Sequence, residues 1–218
     1  TILGNTSIPG WNLNGLLIFA GMQQIFLSII LMFAYGAHFI NDAIVRGWLD
    51  NYLARPCHEW FVVSMQNGFM AFAGFTIGVL ILALGWWNGL FALDAIKLIL
   101  IVLSFLIGMG IAYSFGLIIS SFSFWLGKND LFERMFWGVF EFDFYPTNIF
   151  PAAIQIMISF TVPFMLVQTV PSLLLLNQIS IFEAVKWLGV SIIILLANFI
   201  VFRTIWKAGL KRYESMGG

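Results

Sequence analysis

Charged side chains are scarce in this sequence. They make up 9% of its 218 residues, while 61% are hydrophobic, and soluble domains contain about 25% charged residues. Ten basic and ten acidic residues balance, which argues against a nucleic-acid partner. Cys57 is the single cysteine, so the chain has no internal disulfide framework. The composition therefore predicts an integral membrane protein.

Five apolar segments are long enough to cross a bilayer, which takes about 20 residues in a helix. The short alternating segments that are typical of membrane β-strands are lacking. We therefore expect an all-α membrane protein, a polytopic helical bundle in which residues 1–218 form a single transmembrane domain. The predicted spans are 16–40, 60–84, 96–125, 149–176 and 184–205.

Basic residues are distributed unequally between the two sides of these spans. Lys97 and Lys186 fall on one side, and the other eight basic residues fall on the opposite side. The positive-inside rule then places the segments 41–59, 127–148 and 206–218 in the cytoplasm, with the C-terminus. Residue 1 would lie outside, so we expect a further span upstream of Thr1, which would complete a six-span unit.

Small residues recur at four-residue spacing in two of the spans. They place a flat stripe on one helix face, which lets another backbone approach closely. The alternative is that membrane helices are simply rich in glycine. The residues concerned are Gly74 and Gly78 in one span, and Gly108, Ala112, Gly116 and Ser120 in the next.

Prolines and polar side chains interrupt the segment 149–176. Each proline inside a helix removes a backbone hydrogen bond, and the freed carbonyl groups need partners at membrane depth. We predict that the segment bends or unwinds near Pro163 or Pro171 and lines a cavity or forms a re-entrant hairpin. A kinked structural helix is the alternative. The candidate substrate-path residues are Gln155, Ser159, Thr161, Pro163, Gln168, Thr169 and Pro171.

A charged segment, residues 41–59, separates the first two apolar spans. Within it, residues 45–56 have the pattern of a short helix that ends at Pro56. Trp48, Leu49, Tyr52 and Leu53 would share one apolar face. Such a helix is suited to docking in a groove of a soluble partner or to lying on lipid headgroups.

Three strings of the sequence are similar to one known family. Residues 44–56 (IVRGWLDNYLARP) resemble the I-R-x-G-x-L-D-x-x-L-x-R-P segment of permease subunits in the ABC-two class of bacterial ABC transporters. Residues 143–151 (DFYPTNIFP), with Val162-Pro163-Phe164 and Val170-Pro171, resemble that family's Y-P-x-x-I-F-P stretch and its following prolines. Residues 209–218 (GLKRYESMGG) resemble its terminal G-L-x-x-Y-E-S-x-G signature. The resemblance covers essentially the whole chain.

The resemblance implies a permease subunit of an ATP-driven exporter in the bacterial cytoplasmic (inner) membrane. Its implied partners are ABC ATPase subunits and a second permease copy or a sister permease, in membrane lipid. Residues 41–59 would be the coupling-helix loop that contacts the ATPase. The implied contact residues are Arg46, Gly47, Trp48, Leu49, Asp50, Tyr52, Leu53, Arg55 and Pro56.

Chemistry within this chain is not indicated by the sequence. It lacks the phosphate-binding G-x-x-x-x-G-K-[ST] string, so ATP and Mg²⁺ are expected on the partner ATPase, and no catalytic or metal-binding residues are predicted. The 24 phenylalanines and the charge-free span interiors favour a hydrophobic or amphipathic substrate. The alternative is a membrane-embedded channel or enzyme that acts without an ATPase. Ionisable residues at mid-membrane depth would favour that alternative.

Overall fold

The computed structural model describes residues 10–33, 35–53, 56–64, 71–127, 134–135, 138, 144–155 and 165–213. Its helices are α1 (Leu13–Phe33), α2 (His38–Val45), α3 (Asp50–Leu53), α4 (Glu59–Ser64), α5 (Phe72–Trp87), α6 (Ala95–Ser121), α7 (Ser123–Leu126), α8 (Val170–Leu175) and α9 (Ile181–Leu210). A π-helical stretch, Met165–Thr169, leads into α8. Short 3-10 turns lie at Tyr35–Ala37 and Thr147–Ile149.

Among the described residues, three helical segments are long and apolar enough to cross a membrane. They are Leu13–Met32, Ala95–Leu126 and Ile181–Leu210, and shorter apolar helices lie at Phe72–Trp87 and Leu166–Leu175. The predicted class, a helical membrane protein, is confirmed. The count of five spans, and the sixth upstream of Thr1, stay predictions.

Glycines on α5 allow this helix to pack closely on α1. A Cβ atom at Gly78 would lie 2.8 Å from the carbonyl oxygen of Gly21 and 2.7 Å from the side chain of Ile25. One turn away, a Cβ at Gly74 would lie 2.6 Å from the hydroxyl of Ser28. The predicted packing face on this span is therefore confirmed, and its partner is α1 of the same chain. The second stripe, Gly108 to Ser120, is buried along α6.

The helix pair α6 and α9 forms the other half of the bundle, and side chains define the starts of both helices. Asp94 accepts a hydrogen bond from the backbone N–H of Lys97 at 2.8 Å. Ser180 and Glu183 form a reciprocal capping box at the start of α9, which satisfies two backbone donors of its first turn. Midway along the pair, Leu195 packs on Gly110.

The first two predicted spans are corrected in their boundaries. The first helix ends at Phe33 and not at residue 40. Beyond it, Gly36 lies against the backbone of Ser64, so closely that a Cβ atom would overlap the Ser64 carbonyl group. In place of one helix over 60–84, α4 ends at Ser64 and α5 begins at Phe72. Hydropathy did not reveal the end of the first helix because Tyr35, Gly36 and Ala37, which follow it, are themselves apolar or small.

Of the alternatives predicted for 149–176, a re-entrant hairpin fits better than a crossing, because the two described ends of this segment lie at the same end of the bundle. The indole N–H of Trp11 donates to Oδ1 of Asn148 at 3.0 Å. Leu176 lies beside the same first turn of α1, where its side chain would be 3.1 Å from a Cβ atom at Gly15. The segment therefore enters and leaves at one end, as a re-entrant hairpin does.

Threonine hydroxyl groups join the two arms of this hairpin. Thr169 Oγ1 accepts from the backbone N–H of Thr147 at 3.1 Å and lies 2.8 Å from the Thr147 hydroxyl oxygen. Both residues are fully buried. These bonds satisfy polar groups that hydrocarbon could not.

The position of Asn148 also bears on the predicted cytoplasmic loop 127–148, which stays a prediction. Ser123, the first residue of α7, hydrogen-bonds to Asn41 at one end of the bundle, and Asn148 lies with Trp11 at the other. We name these the Asn41 end and the Trp11 end. Gly127 and Phe144 therefore lie near opposite ends of the bundle, and the stretch between them is mostly outside the described residues. Its charged residues lower the hydropathy, which is why the sequence suggested a loop.

Candidate coupling surface and apolar cavity

Residues 38–64 form a compact segment at the Asn41 end, and we call it the 38–64 segment. The predicted single helix over 45–56 is wrong, because α2 ends at Val45 and α3 is only one turn long. Gly47 lies between them at φ +72°, a left-handed conformation that other residues adopt at an energetic cost. The backbone N–H of Leu49 then bonds back to the carbonyl of Ala43 at 3.0 Å, which closes a tight turn.

The tight turn separates the four residues that were predicted to share one apolar face. Leu49 is fully buried, whereas Trp48 is 50% exposed and Leu53 is 43% exposed. The guanidinium carbon of Arg46 lies 5.1 Å from the centroid of the Trp48 ring, and Arg46 also pairs with Asp42 at 3.8 Å. The outer surface of the segment therefore exposes the Trp48 ring with the Arg46 guanidinium above it. The buried side chain of Leu49 anchors the turn on the inner side.

Two hydrogen bonds connect the start of the segment, and the residue just before it, to α7 and α6. The Ser120 hydroxyl donates to the carbonyl oxygen of Ala37 at 2.8 Å. The Ser123 hydroxyl donates to Oδ1 of Asn41 at 2.6 Å. Both serines and Asn41 are buried, where an unsatisfied polar group would be unfavourable by about 1–3 kcal/mol. The start of the segment is therefore rigidly joined to the end of α6.

Two further contacts connect the segment to the end of α9. The indole N–H of Trp206 donates to Oε1 of Glu59 at 2.7 Å. Tyr213 lies beside Asp50, and burial together with the negative charge of Asp50 raises the pKa of Tyr213.

Aromatic rings fill the space between these polar contacts. Trp60 packs edge-on against Phe202 with ring centroids 5.5 Å apart, and it stacks on His58 at 5.4 Å. Phe124 contacts Trp206 at 5.2 Å and packs directly on Gly209. Aromatic pairs of this kind add about 0.5–1.5 kcal/mol beyond the area that they bury. The cluster joins α4, α7 and α9 into one unit.

The other predicted contact residues fall on the same segment. Pro56 is exposed, Asp50 and Tyr52 are half-buried, and Arg55 lies outside the described residues. Sequence reasoning missed the residues that anchor the segment, namely Asn41, Glu59 and Trp206. In the sequence, only their position marked Asn41 and Glu59, which are the first and last residues of the charged segment 41–59.

The predicted substrate-path residues are buried, half-buried in the case of Gln155, or lie outside the described residues. Gln168 and Thr169 have no exposed surface, and Pro171 is buried at the start of α8. Gln155 donates to the carbonyl oxygen of Phe150 at 2.7 Å. The π-helical stretch just before Pro171 is the irregularity that the prolines predicted. Ser159, Thr161 and Pro163 lie outside the described residues.

An apolar cavity of about 540 Å³ lies between α1, α5 and α6. Its lining consists of aliphatic and aromatic side chains and reaches the re-entrant hairpin at Leu175. Cavities of this size and character accept drug-sized apolar groups or hydrocarbon chains. Representative lining residues are Met22, Ile25, Phe75, Trp86 and Phe105.

Comparison with known proteins gives one family. The sequence matches the family described as ABC-2 family transporter protein over residues 2–217. The comparisons with curated proteins and with solved structures give no match.

Proposed function

We propose that this chain, which belongs to the ABC-2 family of transporter proteins, is a permease subunit of an ATP-driven exporter. It would move a hydrophobic or amphipathic substrate across the bacterial inner membrane, with its C-terminus in the cytoplasm. ATP and Mg²⁺ would bind to separate ATPase subunits. Two permease copies, or this chain and a sister permease, would form the transport unit.

The observation that carries the proposal is the construction of the 38–64 segment. Ser120 of α6 bonds to Ala37, the residue just before the segment, and Trp206 of α9 bonds to Glu59 within it. Its outer side exposes Trp48 and Leu53. An exposed aromatic anchor on a rigidly held element is suited to docking on a partner. A displacement at the docking surface would then reach two long helices at once.

The proposed substrate class is supported by the cavity between α1, α5 and α6. An apolar lining excludes strong recognition of a small ion, because desolvating charge without a partner is unfavourable. Hydrocarbon in the cavity would instead gain the dispersion contacts that an empty space lacks. The hairpin residues Gln168 and Thr169 would line the path only after the hairpin moves.

Replacement of Trp48 by alanine tests the docking role. Loss of a central aromatic anchor typically weakens an interface by about 2 kcal/mol or more, about 30-fold in Kd. We expect the Trp48→Ala permease to insert normally but to lose its ATPase on co-purification and to lose ATP-dependent transport. Arg46→Glu should act in the same direction, because it removes the cation above the indole.

Trp87→Ala is the matched control, because Trp87 is 82% exposed and ends α5 at the Trp11 end. This variant should retain both the ATPase and transport. Normal ATPase recovery and normal transport in both Trp48→Ala and Arg46→Glu would exclude the 38–64 segment as the coupling surface.

A further inference from the structure

A groove at the Asn41 end lies between α4 and the last turns of α9, and we call it the α4–α9 groove. It encloses about 340 Å³, and its charged or polar lining is His58, Glu59, Arg203 and Lys207. The rings of Trp60 and Phe202 form part of its wall. An aromatic wall beside cationic side chains is a common setting at the membrane–water boundary.

The groove carries an excess of positive charge. Arg203 and Lys207 are four residues apart and so lie on one face of α9. Both are exposed, and in the described part of the chain neither forms an ion pair. Among the described residues that line the groove, Glu59 is the one carboxylate, and its Oε1 already accepts from Trp206. The described lining of the groove therefore has two positive side chains and one carboxylate, and that carboxylate already accepts a hydrogen bond.

An apolar stripe continues from these cations along the same face of α9. Ile193, Leu196 and Ile200 are 68%, 58% and 66% exposed, and they share the helical spacing of Arg203 and Lys207. The ten helical steps from Ile193 to Arg203 span about 15 Å at 1.5 Å per residue. This is about half of a 30 Å hydrocarbon core, the depth of one leaflet. The stripe thus has the length of an acyl chain and ends at paired cations.

From this geometry we propose that the α4–α9 groove binds an acidic phospholipid of the adjacent leaflet. Its phosphate lies between Arg203 and Lys207, and one acyl chain follows Ile200, Leu196 and Ile193. The negative charge of the headgroup complements Arg203 and Lys207, which form no ion pair in the described part of the chain. A second apolar helix packed on the same stripe would leave both positive charges uncompensated. The bound lipid bridges α4 and α9 alongside the Glu59–Trp206 hydrogen bond. This site stands independently of the proposed transport function.

The test compares phosphatidylglycerol with phosphatidylcholine of identical acyl chains. Full-length protein is equilibrated with mixed micelles of the two lipids, and the bound lipids are counted by native mass spectrometry. Each basic residue near an anionic lipid contributes about fivefold to binding. We expect the Arg203→Gln/Lys207→Gln double variant to lose about 25-fold in its preference for phosphatidylglycerol.

Lys186→Gln is the matched control, because Lys186 lies on the same helix, 5.2 Å over the ring of Phe182. Arg203 has the same relation to Phe199, at 5.9 Å. The Lys186→Gln control and an Arg203→Lys variant should both keep the wild-type preference for phosphatidylglycerol over phosphatidylcholine. Phosphatidylglycerol should raise the unfolding temperature of these proteins and of wild type, but not that of the double variant. In pure phosphatidylcholine all variants should unfold at the same temperature.

Several results would overturn the proposal. An unchanged preference in the double variant would show that these cations do not bind the lipid. An equal loss of the phosphatidylglycerol preference in Lys186→Gln would show that the lipid is attracted only by the overall charge of the protein. Full competition by inorganic phosphate would identify a site for free anions, and lipid-free protein dimers lost in the double variant would identify a protein interface.

Discussion

The indole N–H of Trp206 donates a hydrogen bond to Oε1 of Glu59 at 2.7 Å, between residues that are 147 positions apart in the chain. The bond connects the start of α4 to the last turns of α9. Beside it, Trp60 packs on Phe202, so apolar and polar contacts act at the same place. Any shift of the 38–64 segment is therefore resisted or transmitted by α9.

Replacement of Trp206 by phenylalanine should destabilise this connection. The ring still fills most of the space, but the half-buried carboxylate of Glu59 loses its donor. We expect a loss of about 1–3 kcal/mol in the free energy of unfolding, measured by thermal or denaturant unfolding in detergent. Trp87→Phe, at an exposed position, should leave stability unchanged. Equal stability of Trp206→Phe and wild type would show that the bond contributes little.

Replacement of Gly47 by alanine tests the tight turn before α3. Gly47 has φ +72°, and an L-residue there is disfavoured by about 1–2 kcal/mol. The turn should open and move Trp48, so ATP-dependent transport should fall. Gly89 is the control, because it has φ +68° at the opposite end and space for a methyl group.

Gly89→Ala should be destabilised by a similar amount and still transport. The measurement is therefore transport activity normalised to folded protein, compared between the two variants. A parallel fall in both would indicate a general effect of stability and not a role of the turn.

Parts of the fold that follow from local pattern could be predicted from the sequence. The third and fifth predicted spans match α6 with α7 and α9 closely, because long apolar runs between turn residues leave few alternatives. Gly74 and Gly78 were predicted as a packing face for the same reason: their spacing alone defines a helix stripe. Their partner, Gly21 of α1, could not be predicted from either helix by itself.

Other parts depend on contacts between distant residues. The re-entrant hairpin is defined by Trp11 with Asn148 and by Leu176 with Gly15, and a hydropathy profile contains neither pair. Likewise, a helical period suggested one face for Leu49 and Trp48. The left-handed backbone at Gly47 instead directs one side chain inward and the other outward.

Replacement of Gly78 by alanine should weaken the packing of α5 on α1. The new Cβ atom would lie within 2.9 Å of backbone atoms of Gly21 and Ile25, and backbone cannot yield as a flexible side chain can. Overpacking of this kind typically destabilises by about 1–3 kcal/mol. Gly189→Ala, on α9 with open space around it, should be neutral or slightly stabilising. Unfolding in detergent distinguishes the two, and equal stabilities would contradict the close contact.

Labelling of single cysteines tests which end of the bundle each loop occupies. Cys57 is a natural exposed thiol at the Asn41 end. Tyr145 is 52% exposed and lies three residues before Asn148 at the Trp11 end, where Asn88 also lies, beside Leu17. In a Cys57→Ser background, Tyr145→Cys and Asn88→Cys should both react with an impermeant maleimide added to intact cells. Wild-type Cys57 should react only after permeabilisation, because the basic residues place its end inside.

The labelling of Tyr145→Cys distinguishes the re-entrant hairpin from the topology that the hydropathy profile suggests. A loop running from residue 127 to 148 on one face would protect Tyr145→Cys together with Cys57. The hydrogen bond between Trp11 and Asn148 instead places it with Asn88. Reaction of Asn88→Cys but not Tyr145→Cys in intact cells would contradict the re-entrant hairpin and restore a crossing at 149–176. Reaction of Cys57 alone would reverse the orientation and remove the 38–64 segment from the reach of a cytoplasmic ATPase.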